Sequence, residues 1–137
     1  MKAFIDTSTL VKKYFLEEGS DKFDEFLNDV TIIVVAPVYL MEIRGMARRK
    51  LMEKLITIHQ ADRIREDINQ DYEKFEKILW DEPLEQAALT IIEKYPIKTL
   101  DSIQLASALL SKADSFVTSN HKLFQIAKKE LKNVVCI

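Results

Sequence analysis

Cysteine, glycine and proline are scarce in this sequence: of 137 residues, one is cysteine, two are glycine and three are proline. The single Cys136 excludes an internal disulfide and a zinc site built from several cysteines, and its place in the last apolar run predicts a core position. Two glycines cannot build a glycine-rich phosphate-binding loop. With 47% hydrophobic and 31% charged residues, the composition is that of a globular protein rather than a disordered one.

Long apolar segments and a strong net charge are also missing. No apolar run reaches the length of a membrane span, and the first residues lack the basic start and long apolar run of a signal peptide. We therefore expect a cytoplasmic protein with no membrane association. The net charge of −2 gives no general attraction to nucleic acid, so binding to it would need a local basic surface. The length favours one domain over residues 1–137.

Short apolar or β-branched runs alternate along the chain with patterns typical of helices. The predicted strands are 3–5, 30–36, 75–80, 115–118 and 133–137. The first predicted helix runs from Ser8 to Gly19, and the second starts after a cap at Ser20. Three further helices are predicted over 37–55, 61–72 and 83–95. The last two are predicted over 100–112, after a cap at Thr99, and over 121–131. This order predicts a three-layer α/β fold, with a mostly parallel central sheet of four to five strands and helices on both faces.

Acidic and amide side chains follow several of these strands. Asp6 ends the first strand, Glu42 lies in the first or second turn of the helix after the second strand, and Asn120 ends the 115–118 strand. Because strand ends and the following helix starts share one edge of a parallel sheet, we expect these three side chains to lie together. Asp101, in the first turn of the apolar helix 100–112, joins them if that helix starts near the same edge.

Taken singly, each of these residues has an ordinary structural explanation. Asp6 and Asn120 suit helix caps, and Glu42 suits the positive end of a helix dipole. Asp101 lies among apolar residues and needs a partner or a metal ion. Taken together, clustered carboxylates without cysteine or paired histidine favour Mg²⁺ or Mn²⁺ over zinc.

Four segments of the chain resemble the signature segments of PIN-domain ribonucleases, above all the small VapC-type toxins of toxin–antitoxin pairs. They are FIDTSTLVKKY, the glutamate of YLMEIRG, LDSIQLASALL and FVTSNHKLFQIA. The resemblance implies a PIN-like fold and a metal-dependent endoribonuclease that hydrolyses RNA phosphodiesters with water activated by Mg²⁺. It also implies a cognate antitoxin that occupies the cleft, and a homodimer.

By this resemblance Asp6, Glu42 and Asp101 correspond to the metal-binding acids of the family. Ser8 matches a hydroxyl position that can orient a ligand or water beside the first aspartate. Asn120 stands where the family commonly has an aspartate. An asparagine keeps an oxygen but loses a charge, so whether one or two metal ions bind is left open.

Basic residues that could hold an RNA backbone follow the proposed ligands. Arg49 lies seven residues after Glu42 and so on about the same helix face, and Arg44 and Arg48 flank it. Lys12 lies two turns after Asp6. A solvated helix face or a site for an acidic partner peptide explains the same cluster.

A second function remains open from the sequence. In this alternative the chain is a catalytically impaired PIN-fold module, changed at positions such as Asn120, that binds RNA or a protein partner. Other phosphate chemistries fit less well: a phosphoryl-aspartate phosphatase requires an Asp-x-Asp pattern, whereas this chain has Asp6, Thr7 and Ser8.

Overall fold

The computed structural model describes all residues, 1–137. Its five strands are β1 (Lys2–Ile5), β2 (Ile32–Val35), β3 (Glu76–Lys77), β4 (Ser115–Thr118) and β5 (Val134–Cys136). Its seven α-helices are α1 (Thr7–Leu10), α2 (Ser20–Leu27), α3 (Tyr39–Met52), α4 (Ile58–Lys74), α5 (Glu82–Lys94), α6 (Thr99–Ser111) and α7 (His121–Ala127). A short 3₁₀ helix, Val11–Lys13, continues α1.

The five strands form one sheet in the order β3-β2-β1-β4-β5, and every neighbouring pair is parallel. In the central strand β1, Phe4 pairs with Val34 of β2 on one side and with Phe116 of β4 on the other. The predicted α/β fold with a parallel central sheet is therefore confirmed.

The sheet separates two hydrophobic cores. In β1, Phe4 packs into the core that α5, α6 and α7 share, whereas Ala3 and Ile5 pack into the core shared by α1 to α4. Each face of the sheet has its own core because successive side chains of a strand point to opposite faces. Helix α6 is the most deeply embedded helix, as its apolar sequence predicts: eight of its thirteen residues are buried.

The first helix is shorter than predicted. It passes into the 3₁₀ helix and ends by Tyr14, well before Gly19. In the segment that follows, Lys12 Nζ donates a hydrogen bond to the carbonyl oxygen of Glu18 at 2.7 Å. Gly19 instead precedes α2, with a φ of +88° that disfavours any residue with a side chain.

Two predicted helix caps are also wrong. Ser20 is the first residue of α2, and its Oγ accepts a hydrogen bond from the Glu17 amide rather than capping the helix. Thr99 is the first residue of α6, whose N-cap is Lys98, without a side-chain cap. In both cases backbone conformation places the helix start one residue away from where the hydroxyl pattern indicates.

Cys136 and the end of the predicted strand 75–80 lie nearer the surface than expected. Cys136 is only partly buried, because β5 is an edge strand. Trp80 is 54% exposed, because the predicted strand 75–80 is paired only over Glu76–Lys77 and the chain leaves the sheet before Trp80. None of the helices is both long and apolar enough to cross a membrane.

Candidate functional site

The acidic side chains singled out from the sequence approach one another at the carboxyl edge of the sheet. Asp6 directly follows β1, and Asn120 follows β4, the neighbour of β1. Glu42 lies in the first turn of α3, and Asp101 lies in the first turn of α6. The charges of Asp6 and Asp101 both act on Glu42, so the three carboxylates form one electrostatic cluster.

Asp6 is held by two hydroxyl groups rather than serving as a helix cap. It occupies the N-cap position of α1 but makes no side-chain cap hydrogen bond. Ser8 Oγ and Thr118 Oγ1 each donate to Asp6 Oδ2 at 2.7 Å. Both bonds use the same oxygen, and Asp6 Oδ1 accepts none from a side chain. The residue is only 4% exposed.

Glu42 is held in a similar way by residues of two other elements. Thr7 Oγ1 donates to Glu42 Oε1 at 2.9 Å, and Gln104 Nε2 of α6 donates to the same oxygen at 2.7 Å. Glu42 Oε2 accepts no hydrogen bond. It is not one of the buried atoms without a partner, which are Tyr39 Oη, Gln104 Oε1 and Ser107 Oγ, so Glu42 Oε2 reaches solvent.

Asp101 and Asn120 meet across the start of two helices. Asn120 Oδ1 accepts a hydrogen bond from the Leu123 amide at 3.1 Å and so caps α7. The amide nitrogen therefore faces the other way, and Asn120 Nδ2 donates to Asp101 Oδ2 at 3.4 Å. The oxygen that the sequence offered as a metal ligand is thus engaged in the cap, and a donor group faces the cluster.

Burial raises the pKa of all three carboxyl groups. For Asp6 and Glu42, burial is the largest cause, hydrogen bonds oppose it, and the charge of Asp101 raises the pKa further. For Asp101, burial is opposed first by the charge of Lys98, then by Asn120 and Lys122. None of the five salt bridges of the chain includes these acids. No basic side chain is therefore bonded to the acids of this cluster.

The oxygen atoms of the three acids fit a hard divalent cation. They are carboxylate oxygens, and Asp6 and Glu42 each keep one oxygen free of side-chain partners. No three His, Cys, Asp or Glu side chains lie close enough together to hold a metal ion between them. Mg²⁺ suits such a site because it usually keeps several waters and takes only one or two carboxylates. The arrangement therefore fits Mg²⁺ or Mn²⁺ and not a closed protein cage.

Two residues of the site were missed by the sequence reasoning. Thr118 is buried and donates to Asp6, and its Oγ1 also accepts from the Asn120 amide at 3.1 Å. Gln104 is buried in α6 and contacts both Glu42 and Thr7. Each carried a weak signal: Gln104 is a polar residue in an otherwise apolar helix stretch, and Thr118 ends a strand next to proposed ligands.

The four basic residues proposed for RNA separate into different places. Arg44 and Arg48 line a groove of about 330 Å³ between α3 and α4, where Arg44 donates to Asn69 Oδ1 at 2.6 Å. Lys12 is turned inward and pairs with Glu17 at 3.2 Å. Of these four residues, only Arg49 lines the cavity of about 290 Å³ that Ser8 also lines. Two exposed lysines lie near Asp101: Lys98 is the N-cap residue of α6, and Lys122 is the second residue of α7.

Comparisons with known proteins agree with this fold. A toxin–antitoxin complex from Klebsiella pneumoniae matches with a TM-score of 0.71 and 20% identity, covering 97% of this chain and 95% of that chain. FitAcB from Neisseria gonorrhoeae matches with a TM-score of 0.71 and 14% identity, covering 98% and 96%. VapBC2 from Rickettsia felis, bound to a DNA fragment from their promoter, matches with a TM-score of 0.65 and 15% identity, covering 100% and 98%.

A search of curated proteins gave no significant match. At identities of 20% and below, the solved structures establish the fold alone. The sequence model of the PIN domain, however, matches residues 3–129, which is most of the chain. The protein therefore belongs to the PIN domain family, a family of nucleases.

Proposed function

We propose that this protein is an endoribonuclease that depends on Mg²⁺ or Mn²⁺ and acts as the toxin of a toxin–antitoxin pair. The observation that carries the proposal is the cluster of Asp6, Glu42 and Asp101 at the carboxyl edge of the sheet. All three are partly or fully buried, and none has a salt-bridge partner. Such a cluster is costly unless a cation joins it.

In the proposed site, Asp6 and Glu42 each offer one oxygen to the cation or to its bound water, and Asp101 adds negative charge beside them. Ser8 and Thr118 fix the carboxylate of Asp6, and Ser8 Oγ also accepts the Ser119 amide at 3.1 Å. A divalent cation at such a site supplies an acidic bound water and positive charge beside a phosphate. The side chains exclude bulk water from one side and keep the ligand oxygens oriented.

The RNA backbone would lie where cations border the acids. Arg49 lines the cavity next to Ser8, and Lys98 and Lys122 flank Asp101 closely enough for their charges to lower its pKa. No salt bridge engages these three side chains. We assign backbone contacts to them rather than to Arg44, Arg48 or Lys12, which have partners or face elsewhere.

The partner assignment draws on the similar structures. The Klebsiella pneumoniae structure is a toxin–antitoxin complex of the same fold over almost the whole of both chains. By this likeness we propose a cognate antitoxin protein for the chain, together with the homodimer and the cytoplasmic location expected from the sequence.

The test is cleavage of a labelled single-stranded RNA by the purified protein, with Mg²⁺, with Mn²⁺ and with a chelator. We expect cleavage only with a metal, and a loss on the order of 10²-fold or more for Asp6→Asn and Asp101→Asn, as when one group that stabilises reacting charge is removed. Asp24→Asn is the matched control, because Asp24 is exposed on α2. Induced expression of the wild type should arrest growth, and Asp6→Asn should not.

Cleavage that survives both substitutions would contradict the proposal. RNA binding without cleavage at any metal concentration would instead favour the alternative of a catalytically impaired module. The specific observation behind that alternative is Asn120, whose amide group faces Asp101 where a carboxylate is common in the family.

A further inference from the structure

Helix α6 carries a buried amide that the proposed chemistry does not use directly. Gln104 is 1% exposed and lies between Ile103 and Leu105, which are also buried. Its Nε2 donates to Glu42 Oε1 at 2.7 Å and to Thr7 Oγ1 at 3.0 Å. Thr7 in turn donates to Glu42 Oε1 at 2.9 Å. The three side chains therefore close a ring of hydrogen bonds.

The direction of each bond in this ring follows from the chemistry of the groups. An ionised carboxylate only accepts hydrogen bonds, so the amide nitrogen of Gln104 must face Glu42. Because the Thr7 hydroxyl proton is used toward Glu42, Thr7 accepts from Gln104. Both donors meet Glu42 at Oε1, and this leaves Oε2 as the oxygen that faces solvent.

The surroundings of Gln104 satisfy only part of its side-chain amide. With Nε2 turned to Glu42, Gln104 Oε1 is buried and has no hydrogen-bond partner. A buried oxygen without a partner destabilises a fold, whereas an apolar side chain of similar size carries no such cost. The feature that an apolar residue cannot reproduce is the pair of hydrogen bonds toward Glu42 and Thr7.

We propose that Gln104 is a positioning residue: with Thr7 it holds Glu42 Oε1 so that Oε2 is presented to a divalent cation in the cleft. This inference rests on the proposed function, because it assigns Gln104 to the same metal site. Gln104 does not touch the cation or the RNA, and it acts only through Glu42.

The first test compares Gln104→Met with the wild type by calorimetric titration with Mn²⁺. Methionine keeps the length and burial of the side chain but donates no hydrogen bond. We expect Mn²⁺ affinity to fall about 10- to 100-fold, the usual scale for residues that orient a metal ligand. The melting temperature without metal is measured beside the titration, so that any change in stability is separated from the change in Mn²⁺ affinity. Ser107→Ala is the matched control, because Ser107 is also buried and unpartnered on α6.

A double-mutant cycle separates positioning from general structural damage. If Gln104 acts through Glu42, then Gln104→Met causes no further loss of Mn²⁺ affinity in a Glu42→Ala background. An equal loss in both backgrounds would show that Gln104 is structural only and would overturn the inference.

A third readout needs neither metal nor the Gln104 variant. In the metal-free wild type, the side-chain amide protons of Gln104 should exchange slowly with solvent in nuclear magnetic resonance spectra, and Glu42→Ala should shift their signals and speed their exchange. Fast exchange in the wild type overturns the inference even if Gln104→Met fails to fold.

Unchanged Mn²⁺ binding by Gln104→Met overturns the inference while the proposed function stands. A wild type that binds no Mn²⁺ overturns both.

Discussion

At the scale of single residues, the carboxyl groups of Asp6 and Glu42 are held by the same pattern of hydrogen bonds. In each carboxylate one oxygen accepts two short hydrogen bonds from neutral groups, and the other oxygen has no side-chain partner. Neutral donors fix the orientation of a carboxylate but do not cancel its charge. Both carboxyl groups are therefore oriented without a basic partner, which suits a hard divalent cation.

The metal-free protein should lose stability relative to Asp6→Asn as the pH rises. Burial raises the pKa of Asp6, so the folded protein binds this proton more tightly than the unfolded chain does. The resulting stabilisation is fully present below the unfolded pKa of about 4 and disappears as the pH rises through the higher folded pKa. Urea unfolding at a series of pH values, with a chelator present, measures the difference between the two proteins.

In that series, Asp24→Asn is the control and should differ from the wild type by an amount that does not depend on pH. A constant difference between Asp6→Asn and the wild type across the same range would contradict the prediction.

At the scale of elements, helix α3 presents two functional faces. Glu42 and Arg49 are seven residues apart and so lie on about the same side, toward Thr7 and Ser8. Arg44 and Arg48, four residues apart, lie on the side that forms the groove with α4. The basic residues that are close together in the sequence therefore lie on two faces of α3, one toward the proposed site and one toward α4.

Arg49→Ala should weaken RNA binding several-fold, because it removes a cation beside the proposed site. Arg44→Ala should leave RNA binding within about twofold and reduce stability by about 1 kcal/mol, because it removes the hydrogen bond to Asn69 that joins α3 to α4. Fluorescence anisotropy with a non-cleavable RNA, and urea unfolding, measure the two effects. The reverse order of RNA affinities would contradict this division of the helix.

At the scale of the whole molecule, the sheet order explains why the site forms at β1. The chain leaves β1 toward β2 and β3 on one side and later adds β4 and β5 on the other. In open parallel sheets, the point where the strand order reverses leaves a crevice at the carboxyl ends, and ligands bind there. Asp6 and Thr118 lie on the two sides of that crevice and are bonded across it.

Mn²⁺ should stabilise the whole fold by linkage if it binds only the folded site. At a concentration about 100 times its dissociation constant, the expected gain in unfolding free energy is about 2.7 kcal/mol. Asp6→Asn should abolish most of this gain, whereas Asp24→Asn should keep it. Thermal unfolding at increasing Mn²⁺ measures both, and equal shifts for all three proteins would show binding elsewhere.

Much of this protein is determined by local sequence. The alternation of β-branched runs with amphipathic stretches predicts the parallel α/β sheet, because strand and helix periods are local properties. The same pattern places Asp6, Glu42 and Asn120 at one edge, since strand ends and helix starts share it. The apolar residues on nearly all sides of α6 likewise predict that this helix is deeply buried.

Only the tertiary structure decides which atoms meet. Thr118 reaches Asp6 across 112 residues, and Gln104 reaches Glu42 across 62, so no local pattern assigns these partners. Asn120 satisfies the cap of α7 with its oxygen and therefore turns its nitrogen to Asp101. The sequence restricts these residues to one edge of the sheet, whereas the packing of α6 and β4 against β1 fixes the orientation of their side chains. Because hydrogen bonds depend on distance and direction, this packing decides which atoms meet.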